Sequence, residues 1–422
     1  MSTLMSLRCL DRCTDERFDL FRPLFACPRC GGLVDVDVDI AALPARVNKQ
    51  HRGVWSFKDW TAPDLDDEDI TTLGEGDGAL VTLQGAGDAF VYDCGRQPTG
   101  SFKDLGMTVL VSFARAMRRR GQAIEVLLCA STGDTSAALA AYGARAGIPV
   151  AVLVPRGKVS DVQLVQPLAH GARVIAVDGD FDACMRVVQQ LAARPGVYLA
   201  NSKNPLRLLG QATVAFDVVE QLRRAPDFVF VPSGNLGNVA ALFHGFSLLL
   251  KKGVTTQMPR LVACQVDAAN PLFVSASSDF APPLAQAAGE THATAIRIGN
   301  PVSFPRARQA LLQSKGLVTS SSEAALLQAM AAADRQGLFV CPQTAVALDG
   351  LAQLRTRGVV DEGALSIVIA TASGLKFAAQ KAVFHAGSTV LGDLPLSAST
   401  SSLRNPIRTA DANADAVWAA IS

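Results

Sequence analysis

What this 422-residue chain has little of narrows its chemistry before any motif is considered. Neither charge sign predominates: 39 basic and 38 acidic residues leave a formal net charge of +1. The two signs are interspersed, so there is no electrostatic footprint for nucleic acid. The densest basic run, Arg118-Arg119-Arg120, closes a predicted helix, where cations complement the dipole. No apolar run approaches the ~20 residues of a membrane-spanning helix. The N-terminal stretch has neither secretory-signal nor transit-peptide character, and a cytoplasmic location without a membrane partner is expected. Nine cysteines, an odd number scattered over a long chain, argue for reduced thiols rather than a disulfide framework. Aromatic residues make up only 6%.

What is present is an apolar fraction of 49%, rich in Ala, Val, Leu and Gly, as in an α/β protein long enough for two packed domains. Short apolar runs at 124–129, 150–154, 174–177 and 197–200 alternate with helical stretches such as 137–146 and 182–193. The theme repeats with runs at 228–231, 261–266 and 367–370 and helices at 239–251, 323–335 and 345–355. Such alternation predicts two open, mostly parallel sheets flanked by helices and meeting at a cleft, with ligands at the strand carboxyl ends. Four regions are expected: a small N-terminal cysteine-bearing module (1–45), a large domain (46–122 and 200–400), a small α/β domain (123–199) and a tail (401–422) that could hold one helix.

Within the N-terminal module, Cys9, Cys13, Cys27 and Cys30 form two short-spaced pairs. They could converge on a structural zinc ion or remain free thiols. Val34, Val36 and Val38 alternate with aspartates, as in a half-buried strand. Trp55 and Trp60 are expected packing anchors, followed by an acidic turn at 64–69.

Three loops carry candidate chemistry. The turn Pro98-Thr99-Gly100-Ser101 delivers Lys103 to the start of a helix whose apolar stripe includes Leu110, Val111, Ala114 and Met117. The helix dipole and burial would both lower the ammonium pKa, as suits a Schiff-base lysine; the alternative is a hydrated surface lysine. Ser131-Thr132-Gly133-Asp134-Thr135 follows a strand and opens a helix, which suits a carboxylate ligand or merely a helix cap. Ser233-Gly234-Asn235-Leu236-Gly237-Asn238 has two glycines that let the backbone curl around a phosphate at a helix start. Its spacing is not the dinucleotide fingerprint.

Read together, Thr99-Gly100-Ser101-Phe102-Lys103-Asp104-Leu105-Gly106-Met107-Thr108, the run from Ala130 through Leu139 and the Ser233–Asn238 loop resemble the pyridoxal-phosphate enzymes of the tryptophan-synthase-β fold type. Within them the chain is similar to the threonine synthases, particularly the plant-type branch, from about Gly31 to about Lys381. The resemblance implies pyridoxal phosphate as cofactor. It would join Lys103, with the 233–238 loop (Ser233, Gly234, Asn235, Leu236, Gly237 and Asn238) around its phosphate, Asp134 facing its 3-oxygen and Thr371 at the ring nitrogen. It also implies that Ser131, Thr132, Asp134 and Thr135 meet the substrate carboxylate end, and that Asn201, Ser202 and Arg207 hold the phosphate of O-phospho-L-homoserine. A homodimer and a zinc-ribbon-like start belong to the same resemblance.

Some positions depart from the pattern. Leu209 and Ala212 replace a family Glu and Lys, while Gln343 and Ser373 stand where the plant-type branch has histidines. These departures bear on the substrate more than on the cofactor. The alternatives are a sister enzyme acting on another phosphorylated or hydroxylated amino acid, such as a cysteate synthase or a serine/threonine dehydratase, and a silent ligand-binding regulatory paralogue. Activation by S-adenosylmethionine does not carry over, because the segment before Cys94 is shorter and different.

Overall fold

The computed structural model describes residues 3–131, 133–157, 159, 161–281, 286–386, 402–405 and 407–421. Thr132, one of the expected carboxylate-loop residues, lies outside them.

At the N-terminus, β1 (Met5–Cys9) pairs antiparallel with β2 (Val34–Val38), Met5 opposite Val38 and Cys9 opposite Val34. The valine alternation was legible, and its partner carries the same period of two, with Met5, Leu7 and Cys9 apolar and Ser6 and Arg8 polar. Asp37 explains the arginine: its carboxylate lies 3.1 Å from Arg17 and 4.0 Å from Arg8.

The rest of the chain builds two sheets. After β3 (Ala79–Thr82) and β4 (Ala89–Asp93), the chain forms β5 (Ile124–Ala130), β6 (Val150–Pro155), β7 (Arg173–Val177) and β8 (Gly196–Leu199). These last four make a parallel sheet in the order β7-β6-β5-β8. The chain then returns through β9 (Phe228–Pro232), β10 (Arg260–Val266), β11 (Leu317–Ser321) and β12 (Ser366–Ala370). The larger sheet runs β11-β10-β9-β12-β4-β3, parallel throughout except for the β3/β4 pair. Every residue of β6, β9 and β12 is buried, which is why these strands read as continuous apolar runs rather than alternations.

The helix Lys103–Arg119 departs from its expected amphipathic form. From Asp104 to Met117 only Arg115 is exposed, so the helix is enclosed rather than striped. Trp55 donates its indole N–H to Thr108 Oγ1 at 2.8 Å and anchors this helix against the 46–70 segment. The arginine cluster at its end has a further role beyond the dipole. Arg119 pairs with Asp66, Glu68 and Asp69 of the acidic turn, the last at 2.8 Å with an almost fully buried carboxylate. In the tail, a helix spans Ala414–Ile421 with no buried residue.

Because parallel strands share a direction, the carboxyl ends of β4, β5, β8, β9 and β12 bring together the segments that begin at Cys94, Ser131, Ala200, Ser233 and Thr371.

Candidate active site

The lysine turn is fixed by the far end of the chain. Phe102 donates its backbone N–H to the Thr371 carbonyl at 2.9 Å, and Ser373 N–H reaches the Gly100 carbonyl at 3.0 Å. Gly100 adopts φ +81°, a conformation in which a side chain is strained. Inside the turn, Thr99 donates its N–H and its hydroxyl to the two oxygens of Asp104, each at 2.7 Å. Asp104 is buried, and that burial pushes its carboxyl up to about 7 against the two donors.

Lys103 therefore starts its helix in a confined place, with Nζ 4.1 Å from the centre of the Phe102 ring. Burial lowers its pKa from 10.5 to about 7, the Arg207 charge adds to the effect, and Asp134 opposes it. Burial is the largest cause, and the three side chains lie close enough to share a field. The hydrated-surface alternative for Lys103 does not describe this site.

Arg207 is buried as well, near the start of the helix Leu206–Leu222. One Nη donates to the Ala200 carbonyl at 3.2 Å, whereas Nε has no partner. Desolvation lowers even this guanidinium to about 10. Among the described residues no carboxylate is ion-paired with it. A buried cation in that position calls for an anion from outside.

The other predicted residues are placed unequally. Asn201 engages the backbone of Ala130 on both sides, accepting from its N–H at 3.0 Å and donating to its carbonyl at 2.8 Å. One amide hydrogen remains for a ligand. Ser202 Oγ accepts from Asn235 Nδ2 at 3.1 Å, joining this loop to the glycine loop. Ser131 Oγ accepts the N–H groups of Gly133 and Ser136, each at 3.2 Å, so the cap arrangement is realised there. Asp134 and Thr135 open the helix Asp134–Ala146.

In the glycine loop, Ser233 Oγ donates to the Val231 carbonyl at 2.7 Å, and Leu236 takes φ +64° at the helix start. Gly234 cannot carry a side chain, because a Cβ would lie 2.7 Å from Ile296 Cα. Asn235 Oδ1 accepts from Val302 N–H at 2.7 Å. Asn238, just inside the helix Gly237–Lys251, is buried with both amide atoms unpartnered. Ser303, whose hydroxyl is also buried and unpartnered, would stand 3.6 Å from a Cβ on Gly237. Orphaned donors around a glycine-rich helix start form a suitable cradle for a phosphate. Thr371 receives a hydrogen bond on its carbonyl from Phe102, while its Oγ1 lies 3.5 Å from Cys341 Sγ.

Sequence reasoning missed Ser303 and Asp104 as members of this region, and it missed the role of Lys376. Asp104 lay inside a quoted motif and Lys376 shortly after Thr371, but neither carried a signal of burial. Nothing in the sequence marked Ser303.

Away from the cleft, the thiols of Cys9, Cys13, Cys27 and Cys30 all lie within 4.8 Å of one another. Neighbouring sulfurs are 3.4, 3.5 and 3.6 Å apart. Tetrahedral zinc with Zn–S bonds of about 2.3 Å needs sulfurs about 3.8 Å apart, so this donor set fits that ion.

Comparison with known proteins agrees with the geometry. The pyridoxal-phosphate dependent enzyme family matches residues 71–372. The chain is 44% identical over 382 residues to Threonine synthase 2, chloroplastic, of Arabidopsis thaliana, covering 84% of this chain and 74% of that one. It is 38% identical over 385 residues to a threonine synthase of Methanocaldococcus jannaschii, covering 87% and 93%. The structure of threonine synthase from Escherichia coli superposes with a TM-score of 0.72 over 90% of both chains at 22% identity, a likeness of fold. With its lysine turn, glycine-rich cradle and buried arginine on strand ends of two parallel sheets, the chain belongs to the pyridoxal-phosphate dependent enzymes and, within them, to the threonine synthases.

Proposed function

We propose that the chain converts O-phospho-L-homoserine and water to L-threonine and phosphate. The observation that carries this reading is the buried Arg207 beside Lys103, with Nε unpartnered and, among the described residues, no carboxylate ion-paired with it. A substrate with its own phosphate supplies the missing anion, which an unphosphorylated hydroxy-amino acid does not.

When bound, pyridoxal phosphate supplies an electron-withdrawing ring that acidifies substrate C–H bonds. The 233–238 loop and Ser303 would hold its phosphate, Asp134 would face its 3-oxygen and the Thr371 hydroxyl its ring nitrogen. Ser131, Thr132 and Thr135 would receive the substrate carboxylate. Asn201, Ser202 and Arg207 would grip the substrate phosphate.

With its pKa near 7, the Lys103 amine is about half unprotonated at neutral pH. It is thus suited to take the proton from substrate Cα, hand it on, take one from Cβ as phosphate leaves Cγ, and deliver a proton to Cγ; water then adds at Cβ, its spare proton going to the departed phosphate, and the amine returns a proton to Cα. Gripping the substrate at both charged ends keeps these bonds within reach of one nitrogen.

The domain limits expected above, 46–122 with 200–400 and 123–199, belong to the same proposal, supported by the six-stranded and four-stranded sheets that fall within them. Among the described residues no helix is long and apolar enough to cross a membrane. Cytoplasmic residence and a homodimer complete the proposal, together with one structural zinc ion on the four N-terminal thiolates. The test is to incubate the purified chain with pyridoxal phosphate and O-phosphohomoserine and to measure threonine and phosphate together. Equal release of both is expected. Phosphate without threonine, or neither product, overturns the reading.

A further inference from the structure

Lys376 lies on the 3-10 turn Gly374–Phe377, which follows β12. Its ammonium has three donors and three acceptors around it. Nζ stands 3.1 Å from Asp134 Oδ1, 2.8 Å from the Thr99 carbonyl and 2.9 Å from Gln166 Oε1. The side chains of Lys376 and Asp134 are only 16% and 8% exposed, so this is an enclosed ion pair rather than a solvated one. The lysine stem crosses the catalytic turn itself: its Cδ lies 3.2 Å from where a Cβ on Gly100 would be. One cation thus joins the lysine turn, the carboxylate at the start of Asp134–Ala146 and the helix Asp161–Ala169.

We propose that Lys376 is a positioning residue that makes an aspartate acceptable at position 134. The inference rests on Asp134 facing the cofactor's 3-oxygen, as argued above. That oxygen is phenolic and carries negative charge when pyridoxal phosphate is held at neutral pH. A carboxylate beside it in a poorly solvated cleft is repelled. The Lys376 ammonium, in contact with Asp134 and fully engaged, offsets that repulsion and fixes which way the carboxylate points. A neutral amide at position 134 would need no such cation.

The dependence on charge gives the idea a signature that general loosening of the turn lacks. The cofactor dissociation constant is measured by absorbance titration of cofactor-free protein for wild type, Lys376→Met, Lys376→Arg, Asp134→Asn and the double variant Lys376→Met/Asp134→Asn. Lys376→Met should weaken binding at least tenfold and shift the wavelength of the bound band, while Lys376→Arg stays within threefold of wild type. Adding Asp134→Asn to Lys376→Met should bring the constant back to within threefold of Asp134→Asn alone. If Lys376→Met binds within twofold of wild type, or if Asp134→Asn fails to suppress the loss, the proposal is overturned. Failure of the wild-type chain to bind the cofactor, or to turn over O-phosphohomoserine, would instead overturn the functional reading beneath it.

Discussion

Lys103→Met should make the cofactor-free chain more stable while abolishing turnover, and the gain should depend on pH in a way the structure dictates. Methionine keeps the unbranched apolar stem and removes only the ionisable nitrogen. Burial, with Arg207 second, holds the amine at about 7 against its ordinary 10.5. Above pH 10.5 the amine is neutral in both folded and unfolded chains, so it costs the fold nothing. As the pH falls from 10.5 towards 7, the unfolded chain takes up a proton that the folded chain does not, and stability is lost; below about 7 the loss is complete. The gap, at about 1.4 kcal/mol per pH unit, sets a ceiling of about 5 kcal/mol. Lys103 is half-buried on the wall of a cleft, and solvent there reduces the expected penalty to about 2–3 kcal/mol. At pH 6 the variant should therefore melt roughly 2–3 °C above wild type, with the difference vanishing near pH 10.5. Thermal unfolding of both cofactor-free proteins across this range is the assay. Equal melting temperatures at pH 6, or an identical gain at pH 6 and pH 10.5, would refute the claim that burial lowers the pKa of this nitrogen at a cost to the fold.

Arg207→Ala should lower kcat/KM for O-phosphohomoserine by roughly a hundredfold to a thousandfold through loss of a charge-assisted phosphate contact, with cofactor uptake retained; unchanged kcat/KM would reject its role. Gly234→Ala drives a methyl group into the Ile296 backbone and should cost about 1–3 kcal/mol, read as a lower melting temperature and weaker cofactor binding. Metal analysis by plasma emission should find one zinc per chain, and Cys27→Ser should release it and destabilise the β1/β2 module. A metal-free wild-type protein that melts no lower than the metallated one would contradict a structural site.

Much of this arrangement was legible because local rules and the global fold agree. Buried parallel strands advertise themselves as apolar runs, and loops at their ends are where ligands gather. Lys103 and the 233–238 loop could be found for that reason, and so could the four thiols, whose spacing is local. What escaped was set by partners distant in the chain. The strand β11, Leu317–Ser321, ends in Thr-Ser-Ser and looks like a loop until its pairing with β10 is known. Arg306 reads as an ordinary helix-surface residue, yet it is buried, donating to Asp35 at 2.8 Å, to the Val34 carbonyl at 2.6 Å and to the Ser202 carbonyl at 3.4 Å. Through it the cysteine module is tied to the substrate loop by a residue 271 positions beyond Asp35. Asp104 was visible as a letter in a motif and Lys376 as a near neighbour of Thr371, but their burial depends on how the two sheets face each other.

The hydrogen bonds that Thr371 and Ser373 make to the lysine turn also bear on how the protein is born. β12 enters the middle of the larger sheet, between β9 and β4, only after the strands on either side have been synthesised. Until then the lysine turn lacks two of the backbone hydrogen bonds that fix it. The lysine turn therefore takes its final geometry only when the sheet is completed, and a chain broken off before residue 371 lacks the strand end that holds it.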